Sequence, residues 1–114
     1  MAEPIIDAAT FDALKETTGA DFVVELIDTF LDEAPLMLAD LRRGLAEADA
    51  DRFRRAAHSL KSNSHTFGAM TLGAMARELE VGGLARAQAD ATAIDALVAE
   101  YQRAAAALKG LRDA

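Results

Sequence analysis

The 114-residue sequence predicts an all-α fold, an up-down-up-down four-helix bundle with a short additional N-terminal helix, with residues 1–114 forming a single domain. Three observations carry that prediction. Alanine, leucine, glutamate and arginine dominate while no alternating β-branched run occurs, a composition that favours helix and offers no strand pattern. Apolar residues recur three and four apart through four long stretches, the rhythm of helices that bury one face. The segments between those stretches are short, which makes consecutive helices antiparallel neighbours.

Taken in order, a short helix is predicted after Thr10 as N-cap, with Phe11 and Leu14 on one side and Gly19 as its stop. The second runs from about Asp21 to Glu47, its stripe made by Phe22, Val23, Leu26, Ile27, Phe30, Ala34, Leu38, Leu41 and Leu45. Pro35 interrupts it, and because the stripe stays in phase on both sides a kink is expected rather than a break. Asp49 or Asp51 caps a third helix that reaches Phe67 before Gly68. The fourth spans about Thr71 to Val81, with Leu72, Met75, Ala76 and Leu79 inward and Gly82–Gly83 as its stop. A loop over residues 82–89 is then expected, the longest and most mobile in the chain. Asp90 or Thr92 opens the fifth helix, whose stripe is Ile94, Leu97, Val98, Tyr101, Ala105 and Leu108, and Gly110 closes it.

Composition excludes several classes of function. There are 0 cysteines, so disulfides, thiolate metal sites and cysteine nucleophiles are absent. The formal net charge of -7 argues against general nucleic-acid binding, which relies on basic surface to displace counterions. The start, "MAEPIIDAATFDALKE", carries acid and proline where a secretory signal carries positive charge and then an apolar run, and no stretch is apolar enough for a membrane span. A soluble, cytoplasmic protein is expected.

The stretch "RRAAHSLKSNSHTFGA", residues 54–69, holds the chemistry. At about 100° per residue, Phe53, Ala56, Ala57, Leu60, Ser64 and Phe67 fall on one side of the third helix and His58 on the other, among Arg54, Arg55, Lys61, Ser62 and His65, with Asp51 the only acid. A surface histidine on a charged face is ordinarily a bystander. Here cations cluster in a chain where acids outnumber bases 19 to 12, and small neighbours leave the imidazole approachable. A neutral imidazole is a nucleophile toward phosphoryl groups. Lys61, one turn on, can supply a point charge for phosphoryl oxygens and the Ser62 hydroxyl a hydrogen bond. No Walker pattern or G-x-G-x-x-G accompanies them, so the phosphoryl group must come from another protein.

"AHSLKSNSHTFGA" followed by "MARELE" resembles the signature of histidine-containing phosphotransfer (HPt) domains, approximately A-H-x-L-K-G/S-S/N-S/A, then glycine-alanine, then a leucine-glutamate pair on the next helix. "ELIDTFLDEAPLMLADL" and "VAEYQRAAAAL" resemble the family's long preceding helix and its last, so the likeness covers essentially the whole chain. The resemblance implies a phosphorelay intermediary rather than an autonomous ATP-dependent kinase. It would accept a phosphoryl group from an aspartyl phosphate on the receiver domain of a hybrid sensor kinase and pass it to an aspartate of a response regulator. Carried over, His58 is the phosphoacceptor and Lys61 the phosphate-stabilising cation, while Ser62 stands where many members have glycine. Arg54, Arg55 and, less directly, His65 would help dock an acidic receiver, and Mg²⁺ would belong to that receiver.

No metal ligand set is evident in the chain, and His65, about 10 Å along the axis from His58, is too far to share an ion with it. Ser64 is expected to bond back to a carbonyl one turn earlier, Met70 and Met75 to fill the core, and Tyr101 to be partly buried. Glu78 and Glu80 read equally as solvated charges or as a docking rim. The competing function is a non-phosphorylated helical module that binds or inhibits a receiver or kinase. A self-contained hydrolase fits poorly, since no carboxylate orienter or oxyanion site is visible beside His58. A monomer is expected.

Overall fold

The computed structural model describes residues 5–90 and 92–114, and these fold into five helices: α1 (Ala8–Thr18), α2 (Ala20–Ala46), α3 (Ala50–Thr66), α4 (Met70–Ala89) and α5 (Thr92–Asp113). Glu3 and Pro4, on which the reading of the N-terminus partly rests, lie outside the described residues. α3 packs on α2 and α4, α5 packs on the same two helices from the other side, and α3 and α5 do not meet. α1 lies across α2 and α3. Val23, Ile27, Phe30, Leu41, Phe53, Leu60, Leu72, Leu97 and Leu108 fill the interior, and the rings of Phe30, Phe67 and Tyr101 meet there.

α2 runs unbroken through Pro35, so the in-phase stripe holds on both sides of it. Its first aromatic is different: Phe22 is 49% exposed, because the interior is met by Val23 in the next position. Three expectations about helix ends and the segments beyond them are corrected. α1 is capped by Asp7 and not Thr10; the Asp7 carboxylate accepts the Thr10 N–H at 3.0 Å and the Thr10 hydroxyl at 2.5 Å. The first, regular part of α4 stops at Gly82–Gly83, as the sequence suggests, and a second helical stretch follows across the bend. Only Gly83 leaves helical geometry, with φ 71° and ψ −169°, a conformation that glycine alone adopts without strain. The chain beyond the bend is rich in helix formers and buries Ala87, so residues 82–89 continue as helix instead of forming a loop. Gly110 does not close α5, which extends to Asp113, where Arg112 bridges to Asp28 on α2 at 2.8 Å. Met70, expected as core filler, is exposed, and Met75 is half-buried.

The other ends behave as the sequence suggests. Asp49 caps α3 by accepting the Arg52 N–H at 3.1 Å. At the far end the Gly68 N–H bonds His65 carbonyl oxygen and the Ala69 N–H bonds that of Ser64, the paired bonds of a Schellman stop. Gly68 has φ 85°, and its carbonyl accepts the Asp7 N–H at 2.8 Å, which ties the start of α1 to the turn between α3 and α4. A Cβ at Gly68 would sit 2.8 Å from the Asp7 carbonyl oxygen. Gly68→Ala is therefore expected to cost about 1–3 kcal/mol, from left-handed backbone and lost seating of α1 together. Urea unfolding measures it, and a loss below about 0.5 kcal/mol would show that the turn relaxes freely.

Candidate functional site

α3 presents His58 outward because Phe53, Ala56, Ala57, Leu60 and Ser64 occupy the buried side of the same helix. Ser64 meets its expected fate, donating its hydroxyl to the Leu60 carbonyl at 2.6 Å, so this polar group is satisfied inside the core. His58 stays 56% exposed.

The partner of His58 comes from α4. Its Nδ1 lies 2.6 Å from Glu80 Oε2, while Lys61 Nζ lies 2.7 Å from the other oxygen of the same carboxylate. Glu80 is 16% exposed and Lys61 23%, so the carboxylate sits in the seam between α3 and α4 with a cation on one oxygen and an imidazole on the other. The Lys61 hydrogen bond chiefly, and the His58 hydrogen bond in addition, hold the Glu80 carboxyl below the usual carboxylate range against the opposing pull of burial. An ionised carboxylate has no proton to donate. The short contact therefore requires the proton on Nδ1, and in the neutral ring the free lone pair is then on Nε2. Charge that develops on the ring when Nε2 forms a bond meets a fixed negative partner, the role a carboxylate plays behind a catalytic histidine.

The seam keeps its register through close contact further along. The His65 imidazole lies directly over Gly73 on α4, where any Cβ would overlap it. His65 is thus half-buried and packed between helices, one reason it does not form a second exposed histidine beside His58. Arg54 and Arg55 are exposed, but both turn back to Asp51, at 3.1 Å and 3.0 Å, one oxygen each. Ser62 is exposed one turn after His58. So the fold brings together His58 and Lys61 with Ser62 nearby, places Arg54 and Arg55 at the rim in ion pairs, and withdraws His65 into the helix interface.

Glu80 is the residue that sequence reasoning did not rank. A signal was present: Glu80 lies about 70° from the mean direction of Leu72, Ala76 and Leu79 on the helical wheel, and Glu78 about 130°, so only Glu80 borders the packed side of α4. Glu78 instead faces Arg86 across the bend, at 3.6 Å.

Among solved structures, the crystal structure of histidine-containing phosphotransfer protein B (HptB) from Pseudomonas aeruginosa PAO1 is similar to this chain with a TM-score of 0.88 and 28% sequence identity, covering 98% of this chain and 97% of that one. A search of curated proteins gives no match. The model of the Hpt domain matches residues 25–107, which hold His58, Lys61 and Glu80. The chain belongs to the Hpt domain family.

Proposed function

We propose that this protein relays a phosphoryl group between aspartates of receiver domains, from a hybrid sensor kinase to a response regulator, through His58. One observation carries the reading: a half-exposed imidazole whose Nδ1 is held at 2.6 Å by an ionised carboxylate, with Lys61 on the same carboxylate. In the step itself the Nε2 lone pair attacks the phosphorus of an aspartyl phosphate. The N–P bond forms, the P–O bond to the aspartate breaks, and the aspartate leaves as a carboxylate. The ring becomes a phosphoimidazolium that keeps its Nδ1 proton against Glu80. Transfer onward reverses the same bonds with another aspartate. Lys61, one turn from His58, is placed to turn toward the phosphoryl oxygens, and the Ser62 hydroxyl is within the same turn. Mg²⁺ would be supplied by the receiver.

The relation to HptB and the ring of helix contacts α2–α3–α4–α5–α2 support the up-down-up-down bundle as the scaffold for this role. No helix among the described residues is long and apolar enough to cross a membrane. The proposed carrier is a monomer that meets its partners in the cytoplasm. The test is transfer from a phosphorylated receiver domain in Mg²⁺. An acid-labile, alkali-stable label mapped to His58 is expected. No label from a broad panel of receivers, with the helical fold intact, would favour the non-phosphorylated interaction module.

A further inference from the structure

The cations around His58 are not equally available. On α3, Arg52 meets Asp40 and Glu47, Arg54 and Arg55 meet Asp51, and Lys61 meets Glu80. Arg77 on α4 differs: it is exposed, and among the described residues no carboxylate lies within ion-pair distance of it.

Its position follows from the helix. Measured about the α4 axis from Glu80, which touches α3, the buried Leu72, Ala76 and Leu79 lie about 80°, 40° and 100° to one side; Arg77 and Val81 lie about 60° and 100° to the other. Arg77 is one turn from Glu80, about 4.5 Å along the axis. Val81 is 74% exposed, and the exposed Met70 and Ala74 continue the same stripe toward the start of α4. A mostly apolar stripe with one free guanidinium therefore runs beside the seam from which His58 emerges. Single exposed apolar residues are ordinary, but a row of them next to a reactive side chain marks an interaction surface.

Resting on the phosphotransfer reading, we propose that this shoulder of α4, with Met70, Ala74, Arg77 and Val81, seats the partner receiver domain, and that Arg77 meets the acidic margin of its phosphoaspartate site. Charge complementarity commits the surface to that partner. The chain as a whole carries a net charge of -7 and would repel an acidic site, so local attraction must come from a cation not already neutralised. Arg77 meets that condition on the seam, whereas Arg54 and Arg55 share Asp51.

The experiment compares two phosphoryl donors, a phosphorylated receiver domain and the small molecule phosphoramidate. Arg77→Glu and Val81→Asp are measured beside the native protein and Lys109→Glu, a charge reversal of equal size on α5, which does not pack on α3. For receiver transfer, Arg77→Glu is expected to lower kcat/KM about tenfold, mostly through KM, and to flatten its dependence on ionic strength. Val81→Asp should lower it several-fold, and Lys109→Glu less than twofold. Labelling of His58 by phosphoramidate should stay within twofold for all of them. Native transfer rates from the receiver in both α4 variants would overturn the proposal. Failure of the native protein to accept from the receiver while phosphoramidate labels it would remove the relay reading, and this proposal with it.

Discussion

Replacing His58 by glutamine should abolish phosphoryl acceptance, with transfer from a phosphorylated receiver falling by at least about 10³-fold, while the fold persists. Glutamine offers an amide nitrogen whose lone pair is delocalised into the carbonyl, so no other group at this position can form the N–P bond. The structural cost is small because the side chain is half-exposed and, among the described residues, its one hydrogen bond is with Glu80. A glutamine amide N–H can still donate to that carboxylate. Surface pairs of this kind contribute about 0–1 kcal/mol, so the unfolding midpoint should move little. Paired measurements decide it: phosphate transfer by acid- and alkali-lability of the label, and stability by urea unfolding. Label retained in the variant would move the acceptor elsewhere, and His65, packed over Gly73, would need to be dislodged to serve.

How much of this site could be read in the sequence depended on whether its parts lie on one helix. His58, Lys61 and Ser62 share α3, and the same periodicity that places Phe53, Leu60 and Ser64 inward places them outward, so one helical wheel orders them all. Arg54 and Arg55 lie on that exposed face as well. Their pairing was legible too, since Asp51 stands three and four residues before them. Glu80 is 22 residues from His58 in the chain, and its contact depends on the axial register of α4 against α3. That register is set by tertiary packing, the His65 ring on Gly73 and the turn at Gly68, which no single-helix pattern contains.

The fold followed the same division. All five helices and most of their inward residues were readable, because burial of one face imposes a period. Ends were harder. Gly82–Gly83 reads as a stop, and the helix does break at Gly83; what the sequence hides is that the chain resumes helix at once beyond it, where Ala87 is buried. Gly110 reads likewise, yet the helix past it is held by Arg112 on Asp28, an ion pair between residues 84 apart in sequence. Phe22 reads as core because it is aromatic and in phase, but only one of Phe22 and Val23 can face inward where α2 begins, and the smaller one does.

Glu80→Gln should slow transfer about 10- to 100-fold without preventing it, in the range found when a residue that orients a functional histidine is changed. Glutamine retains one oxygen acceptor, but its amide group must then face either the Lys61 ammonium, donor against donor, or the imidazole. In the second orientation the amide donates to Nδ1, the ring proton moves to Nε2, and the nucleophilic lone pair is lost from the reacting position. The variant also lacks the negative charge that faces the phosphoimidazolium. ¹⁵N spectra of the neutral imidazole should therefore show the Nδ1–H tautomer dominant in the native protein and a mixture in Glu80→Gln. A purely structural role for Glu80 would leave that ratio unchanged. Stability supplies an independent check whose sign is fixed. Because the folded protein holds the Glu80 carboxyl below its usual range, the stabilisation from its two contacts is fully present above the unfolded carboxyl pKa and is lost as the pH falls through the lowered folded value. The gap in unfolding free energy between native protein and Glu80→Gln should accordingly close as the pH falls below the ordinary carboxylate range. A tautomer ratio untouched by the substitution would mean that Glu80 serves only to fasten α4 to α3.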